Sequence, residues 1–148
     1  MDYISKSELD SLFKLSSTLP DTLERLKELE AQVDTIRVQN TAENIGAGRT
    51  NSTTNYVEDL VIQLDELRKM VISEKTEYLM LVNKMVYSTK GLEKKYKDVM
   101  HYRYVKGLDW KDLPYAIHTS RRTAERIHGE ALQIIKGRRV EAGKKKKS

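Results

Sequence analysis

The sequence predicts an all-α protein: an N-terminal helical arm with a long coiled-coil-like helix, followed by a C-terminal helix-turn-helix domain. Three observations predict it. Only two prolines and seven glycines occur in 148 residues, while apolar residues make up 39% and charged residues 33%, a balance that suits solvated helices better than one thick core. Apolar residues recur at three-and-four spacing from Leu9 to Ile36 and at intervals of seven from Val57 to Met85. After Thr89 the periodic stretches shorten and are separated by turn residues. The length suits one domain or two small modules with a linker, and is too short for a Rossmann or barrel enzyme with a separate substrate domain.

Residues 1–39 read as a helical hairpin or arm. Leu9, Leu12, Phe13 and Leu15 mark a first helix from Ser7 to Leu19, and Leu19-Pro20-Asp21 reads as a stop followed by a new N-cap. Leu23, Leu26, Leu29, Val33 and Ile36 then give a second helix, with Glu24, Arg25, Lys27, Glu28 and Glu30 on its wet face. Residues 40–56 lose all periodicity and fill with Thr, Asn, Gly and Ser, the composition of a polar linker.

Residues 57–88 carry the clearest pattern. Val57, Leu64, Val71, Tyr78 and Met85 fall seven apart, with Leu60, Leu67 and Leu81 interleaved; Glu74 and Ser88 interrupt the seam. A narrow seam kept up for about 48 Å of helix, at 1.5 Å per residue, wants another helix along its length. That partner is either Leu9–Ile36 folded back or the same helix of a second subunit, so a homo-oligomer through this helix is one expectation; a plain intramolecular core helix is the other.

Residues 89–139 form the module on which function is expected to rest. Leu92, Tyr96, Val99 and Met100 mark a helix to about Val105, broken by Lys106-Gly107-Leu108. Asp109 sits where an N-cap belongs, with Asp112 three residues on, and Trp110, Leu113 and Ile117 give a second helix of about two turns. His118-Thr119 makes a tight connection, and Ser120 caps a third helix whose Ala124, Ile127, Ala131 and Ile134 face inward. Short helix, tight turn and longer helix compose a helix-turn-helix.

The charge is divided. Residues 1–89 hold ten Lys or Arg against fifteen Asp or Glu, a net of −5, whereas residues 90–139 hold thirteen against six, a net of +7. Residues 140–148, with Lys144 to Lys147, read as a basic disordered tail that adds nonspecific phosphate attraction. Positive charge gathered on one module is what a reader of nucleic acid needs. In the third helix Arg121, Arg122, Glu125 and Arg126 fall in the first two turns, where a recognition helix meets base edges. Guanidinium groups bond guanine O6 and N7 bidentately or clamp a phosphate, while Glu125 accepts from cytosine or orients an arginine. Arg122, Glu125 and Arg126 share a face, and Arg121 is better placed to reach the flanking backbone. With Lys111, Thr119 and Ser120 these residues form the expected DNA-contact set.

The run from Arg103 to Leu132, RYVKGLDWKDLPYAIHTSRRTAERIHGEAL, resembles the helix-turn-helix of region 4 of bacterial sigma factors, and more closely the ArpU-like and RinA-like phage late-gene regulators. Arg103-Tyr104, Gly107, Trp110, Ser120-Arg121-Arg122, His128-Gly129 and Ala131-Leu132 stand where that pattern has them, and the preceding polar linker and long helix match its layout. The resemblance implies a small phage or prophage activator of packaging and structural genes in a Gram-positive host, working with the host RNA polymerase. Two residues depart from helical expectation. Pro114 loses a backbone bond and clashes with the preceding turn at about 3 kcal/mol inside a helix, so the second helix begins later or is kinked. Gly129 costs about 1 kcal/mol relative to Ala in a helix interior, which close packing or proximity to a DNA backbone would explain.

Other chemistry is not supported. There is no cysteine, and His101, His118 and His128 share no ligand spacing, so no metal and no cofactor is expected. Acid pairs such as Asp65-Glu66 fill charged helix faces, and Gly46-Ala47-Gly48 lies in the polar linker rather than before a helix. Tyr87, Tyr96, Tyr102, Tyr104 and Tyr115 are expected to complete a small core. No stretch approaches the roughly 20 apolar residues that span a bilayer, and Met1 to Lys14 holds no apolar run after basic residues, so a cytoplasmic, nucleoid-associated protein without catalytic activity is expected. The leading reading is a sequence-specific transcriptional regulator binding double-stranded promoter DNA. Its rivals are a small terminase-like DNA-packaging subunit and an adaptor whose basic module meets an acidic protein.

Overall fold

The computed structural model describes residues 2–43 and 51–147, which are helices and turns with no strand among them. The helices are α1 (Lys6–Glu43), α2 (Asn51–Ser88), α3 (Lys94–Met100), α4 (Leu113–Ala116) and α5 (Arg121–Lys147). The chain forms two compact units, one of Met1–Thr18 with Thr76–Ser148 and one of Leu19–Lys75. Among the described residues no helix is long and apolar enough to cross a membrane.

The expected break at Leu19-Pro20-Asp21 does not occur: α1 runs unbroken through Pro20. Proline in a helix interior costs about 3 kcal/mol, but each fully buried aliphatic side chain returns about 1.5–3 kcal/mol. Leu9 and Leu12 before Pro20, and Leu19 and Val33 beside and after it, are all buried, so holding the helix on both sides outweighs one lost bond. The start of α1 is set by a reciprocal cap. Ser5 Oγ accepts from the Glu8 N–H at 3.1 Å, and Glu8 Oε1 accepts from the Ser5 N–H at 3.1 Å.

The two long helices also enter the stretch expected to be a polar linker at 40–56, since α1 continues to Glu43 and α2 begins at Asn51. The remainder of that expectation, residues 44–50, lies outside the described residues.

In the unit Leu19–Lys75, Val33, Leu60 and Leu64 form the buried centre, with Leu26, Leu29, Ile36 and Val61 packed around them. The seam of α2 is therefore occupied here by the α1 stripe of the same chain. Arg68 Nε reaches Glu30 Oε1 at 3.4 Å across that pair of helices, an exposed ion pair of small worth.

In the other unit the core is Ile4, Leu9, Leu12, Leu81, Met85, Met100, Tyr104, Ala131 and Ile135. Ser88, an apparent interruption of the α2 seam, is buried because its Oγ accepts from the Ile4 N–H and donates to the Lys84 carbonyl, both at 2.7 Å. The half-buried Lys84 Nζ meets Glu8 Oε2 at 2.7 Å. Arg138 of α5 donates to the carbonyls of Ser88 and Lys90 at 2.9 Å each, satisfying acceptors that the end of α2 leaves open.

After α3 the helix widens into a π-helical turn, His101–Val105, and ends at Lys106 as the sequence predicts. Gly107 follows with φ +71°, and a Cβ there would lie 2.8 Å from Ser16 Oγ of α1. The apolar stripe of α5 differs by one residue from expectation: Ile135 is buried, whereas Ile134 is half-buried, because the stripe steps by four from Ala131. The tail expected to be disordered over 140–148 is helical through Lys147. Glu141, Ala142 and the lysines are good helix formers and simply extend a helix already nucleated and packed.

Candidate nucleic-acid interface

Asp109 opens the turn that leads to α4. Its Oδ1 accepts from the N–H groups of Lys111 and Asp112 at 3.0 Å each, and its carbonyl accepts from the N–H of Leu113 at 3.0 Å. The Asp112 amide above all, with that of Lys111, holds the Asp109 carboxyl below the usual carboxylate range. Residues Trp110 to Asp112, expected as the first turn of the helix, remain a turn, and α4 begins at Leu113. Pro114 thus falls in the first turn of α4, where its missing N–H has no intrahelical acceptor to lose. Of the two outcomes expected for Pro114, the later start is the one found.

α4 closes with two bonds: the Thr119 N–H donates to the Pro114 carbonyl at 3.0 Å, and the His118 N–H to the Tyr115 carbonyl at 3.4 Å. This pairing places His118 in the left-handed region, φ 54°, a position usually taken by glycine. Ser120 then caps α5, its Oγ accepting from the Thr123 N–H at 3.2 Å and donating to Thr123 Oγ1 at 2.9 Å. The order of short helix, turn and long helix is the one the sequence predicts.

Of the predicted contact residues, Lys111, Ser120, Arg121, Arg122, Glu125 and Arg126 are exposed and Thr119 is half-buried. Arg121 Nε donates to Glu125 Oε1 at 3.0 Å, so Glu125 orients Arg121 rather than standing with Arg122. Arg126 donates to Glu130 Oε1 at 2.9 Å, and the other oxygen of Glu130 accepts from the Tyr96 hydroxyl at 2.9 Å. Arg122 makes no hydrogen bond or ion pair among the described residues, which leaves its whole donor fork to solvent or a ligand.

The same unit holds a polar and aromatic cluster that sequence reasoning does not find. The Arg103 guanidinium carbon sits 4.1 Å from the centroid of the Phe13 ring and 4.9 Å from that of Trp110, while its Nη1 donates to the Leu108 carbonyl at 3.0 Å. Trp110 meets His128 edge-on at 5.0 Å. The Tyr104 hydroxyl and His128 Nε2 share a hydrogen bond of 2.7 Å. Burial first, then the charges of Lys6 and Arg103, pulls the His128 imidazole down to a pKa of about 4, so the ring is neutral near pH 7. Burial pushes the Tyr104 phenol up to about 12.

Two cations of the basic module are thus spent on structure: Arg103 on aromatic rings and Arg138 on the end of α2. Of the tyrosines expected in a core, Tyr104 is buried, Tyr96 and Tyr102 are half-buried, and Tyr87 and Tyr115 are exposed, Tyr115 to 81%; Tyr78 of the α2 seam donates to the Val105 carbonyl at 3.1 Å. Lys94 and Lys95 of α3, also not singled out, line a cavity with Thr119. A built Cβ at Gly129 meets nothing within 4 Å, so packing inside the protein does not explain that glycine.

No curated protein and no solved structure matches the chain. A family model does, over residues 22–137, a span that holds α2, α3 and α4 whole and the greater part of α1 and of α5. The chain belongs to that family, described as "Protein of unknown function (DUF722)".

Proposed function

We propose that the protein is a sequence-specific DNA-binding transcriptional regulator, an activator of phage late genes of the ArpU-like and RinA-like kind, acting by recognition without catalysis. The observation that carries this reading is the cluster of exposed Arg121, Arg122 and Arg126 in the first two turns of a capped, 27-residue helix. A helix entering the major groove presents its N-terminal residues to base edges, and arginine is the side chain best suited to guanine and phosphate. The net charge of +7 over residues 90–139 supplies the sequence-independent attraction that such binding requires. The resemblance of Arg103–Leu132 to sigma region 4 supports promoter DNA as the partner, with host RNA polymerase as the second contact and the host cytoplasm as the place.

The test is selection of bound duplexes from the genome that encodes the protein, followed by fusion of the recovered segment to a reporter. Recovery of one promoter-proximal sequence, with expression rising when the protein is supplied, is the expected outcome. Failure to bind any duplex at low salt would remove the reading. Recovery of a packaging site bound by ring-shaped oligomers would transfer it to a terminase-like subunit.

A further inference from the structure

We propose that α3 supplies a second, sequence-independent grip on the phosphodiester backbone of duplex DNA, through Lys94 and Lys95 at a notch they share with Thr119. The proposal rests on the reading of α5 as a DNA-contacting helix, and extends the contact surface to an element that the linear sequence does not join to it. The notch is a cavity of about 300 Å³ lined by Lys94, Lys95 and Asp98 of α3, Ile117 and Thr119 of the turn, and Ile127 of α5.

Ile127 is buried and Ile117 half-buried, so the apolar side of the notch is closed against the body of the unit, whereas Lys94 and Lys95 are exposed. Thr119 immediately precedes Ser120, Arg121 and Arg122. A strand of DNA held by the start of α5 therefore passes beside the α3 lysines.

The lysines are available for such a contact. Lys94 makes no ion pair or hydrogen bond among the described residues. Lys95 has only loose company, its Nζ 3.7 Å from a Glu93 oxygen and 5.0 Å from the centroid of the Tyr96 ring, with half its side chain in water. The Thr119 hydroxyl likewise has no protein partner among the described residues. Two ammonium groups and a hydroxyl donor match phosphate oxygens. Ammonium on a flexible stem neutralises charge without reading the base sequence, so the grip acts on any duplex. The carboxylate of Asp98 on the same wall opposes an anion and so provides a probe of opposite sign.

The experiment uses the full chain and fluorescence anisotropy on two labelled duplexes, the best sequence from selection and its scrambled counterpart, over a series of KCl concentrations. Lys94→Gln and Lys95→Gln are each expected to weaken binding to both duplexes by similar factors, and to reduce the slope of log affinity against log salt by about 0.9 for each phosphate no longer neutralised. Asp98→Asn is expected to tighten binding to both. Thermal melts of the lysine variants should match the wild type, which separates a weakened hold on phosphate from a failure to fold.

Wild-type affinity and slope in both lysine variants, while the unaltered protein binds DNA, would overturn this inference and leave the α5 reading standing. Absence of duplex binding by the unaltered protein would overturn the α5 reading and this one with it. Inorganic phosphate that competes more strongly than KCl of equal ionic strength, and only when the lysines are present, would assign the notch to free phosphate and overturn its assignment to the duplex.

Discussion

The Tyr104 hydroxyl and His128 Nε2 stand 2.7 Å apart, joining the π-helical turn to α5 two residues beyond Arg126. Because the folded pKa of His128 is depressed to about 4, against 6.5 for an ordinary histidine, the unfolded chain takes up a proton first as pH falls. The stability due to a neutral His128 is therefore complete above about pH 6.5 and is lost as pH falls toward 4. At this half-buried site it amounts to roughly 1–2 kcal/mol after allowance for solvent screening. Urea denaturation at pH 7.5 and pH 5 should show a smaller loss for His128→Gln than for the wild type. Equal losses would mean that His128 does not titrate on unfolding.

Gly107 is expected to be far less replaceable than Gly91. Both have positive φ, +71° and +82°, but an added Cβ at Gly91 meets nothing within 4 Å, whereas at Gly107 it meets Ser16 Oγ at 2.8 Å. Ser16 Oγ is itself engaged, donating to the Phe13 carbonyl at 2.8 Å, so its withdrawal breaks that bond. Gly91→Ala should cost about 1 kcal/mol for the left-handed backbone alone. Gly107→Ala should cost about 1–2 kcal/mol more, for the displaced hydroxyl and its broken hydrogen bond. Paired thermal melts read the difference, and equal shifts in Tm would remove the close approach from the account.

Gly129 gives a prediction in which stability and function move in opposite directions. It is exposed in the interior of α5, three residues after Arg126 and seven after Arg122, on the continuation of the proposed reading face. With nothing in the protein near it, Gly129→Ala should stabilise the helix by about 1 kcal/mol and raise Tm by a few degrees. If the glycine is there to let a DNA backbone approach, the same variant should bind DNA severalfold more weakly. A variant both more stable and equally tight would show that Gly129 has no part in binding.

Elements with a long repeated pattern are legible in the sequence, and those set by single tertiary contacts are not. The α2 seam follows from its seven-residue spacing, and even Glu74 and Ser88 sit on its sheltered side, since Ser88 has a backbone donor from Ile4. Pro20 misleads because its local cost is real but smaller than the burial that keeps α1 helical on both sides. The tail misleads because a lysine run says nothing of the helix it extends. For the site, the arginine cluster and the Asp109 and Ser120 caps are local features and can be read directly. The Ser5–Glu8 capping box is equally readable and is a missed signal with a clear sequence signature. That Arg103 is drawn between Phe13 and Trp110 needs the packing of distant segments, which no spacing rule carries.

The arrangement at the start of α5 separates a base reader from a backbone anchor. Arg121 is held by Glu125 at 3.0 Å, which limits its reach, while Arg122 has no competing carboxylate among the described residues. A base contact through a bidentate guanidinium discriminates by about 1–3 kcal/mol, whereas removing a phosphate contact weakens binding on every sequence alike. Arg122→Ala should therefore weaken the selected duplex more than a scrambled one, and relax preference at one or two base pairs. Arg121→Ala should weaken both by similar factors and reduce the salt slope by about one. Competition of each variant against both duplexes gives the comparison directly, and equal losses on the two for Arg122→Ala would move Arg122 from the groove floor to the backbone.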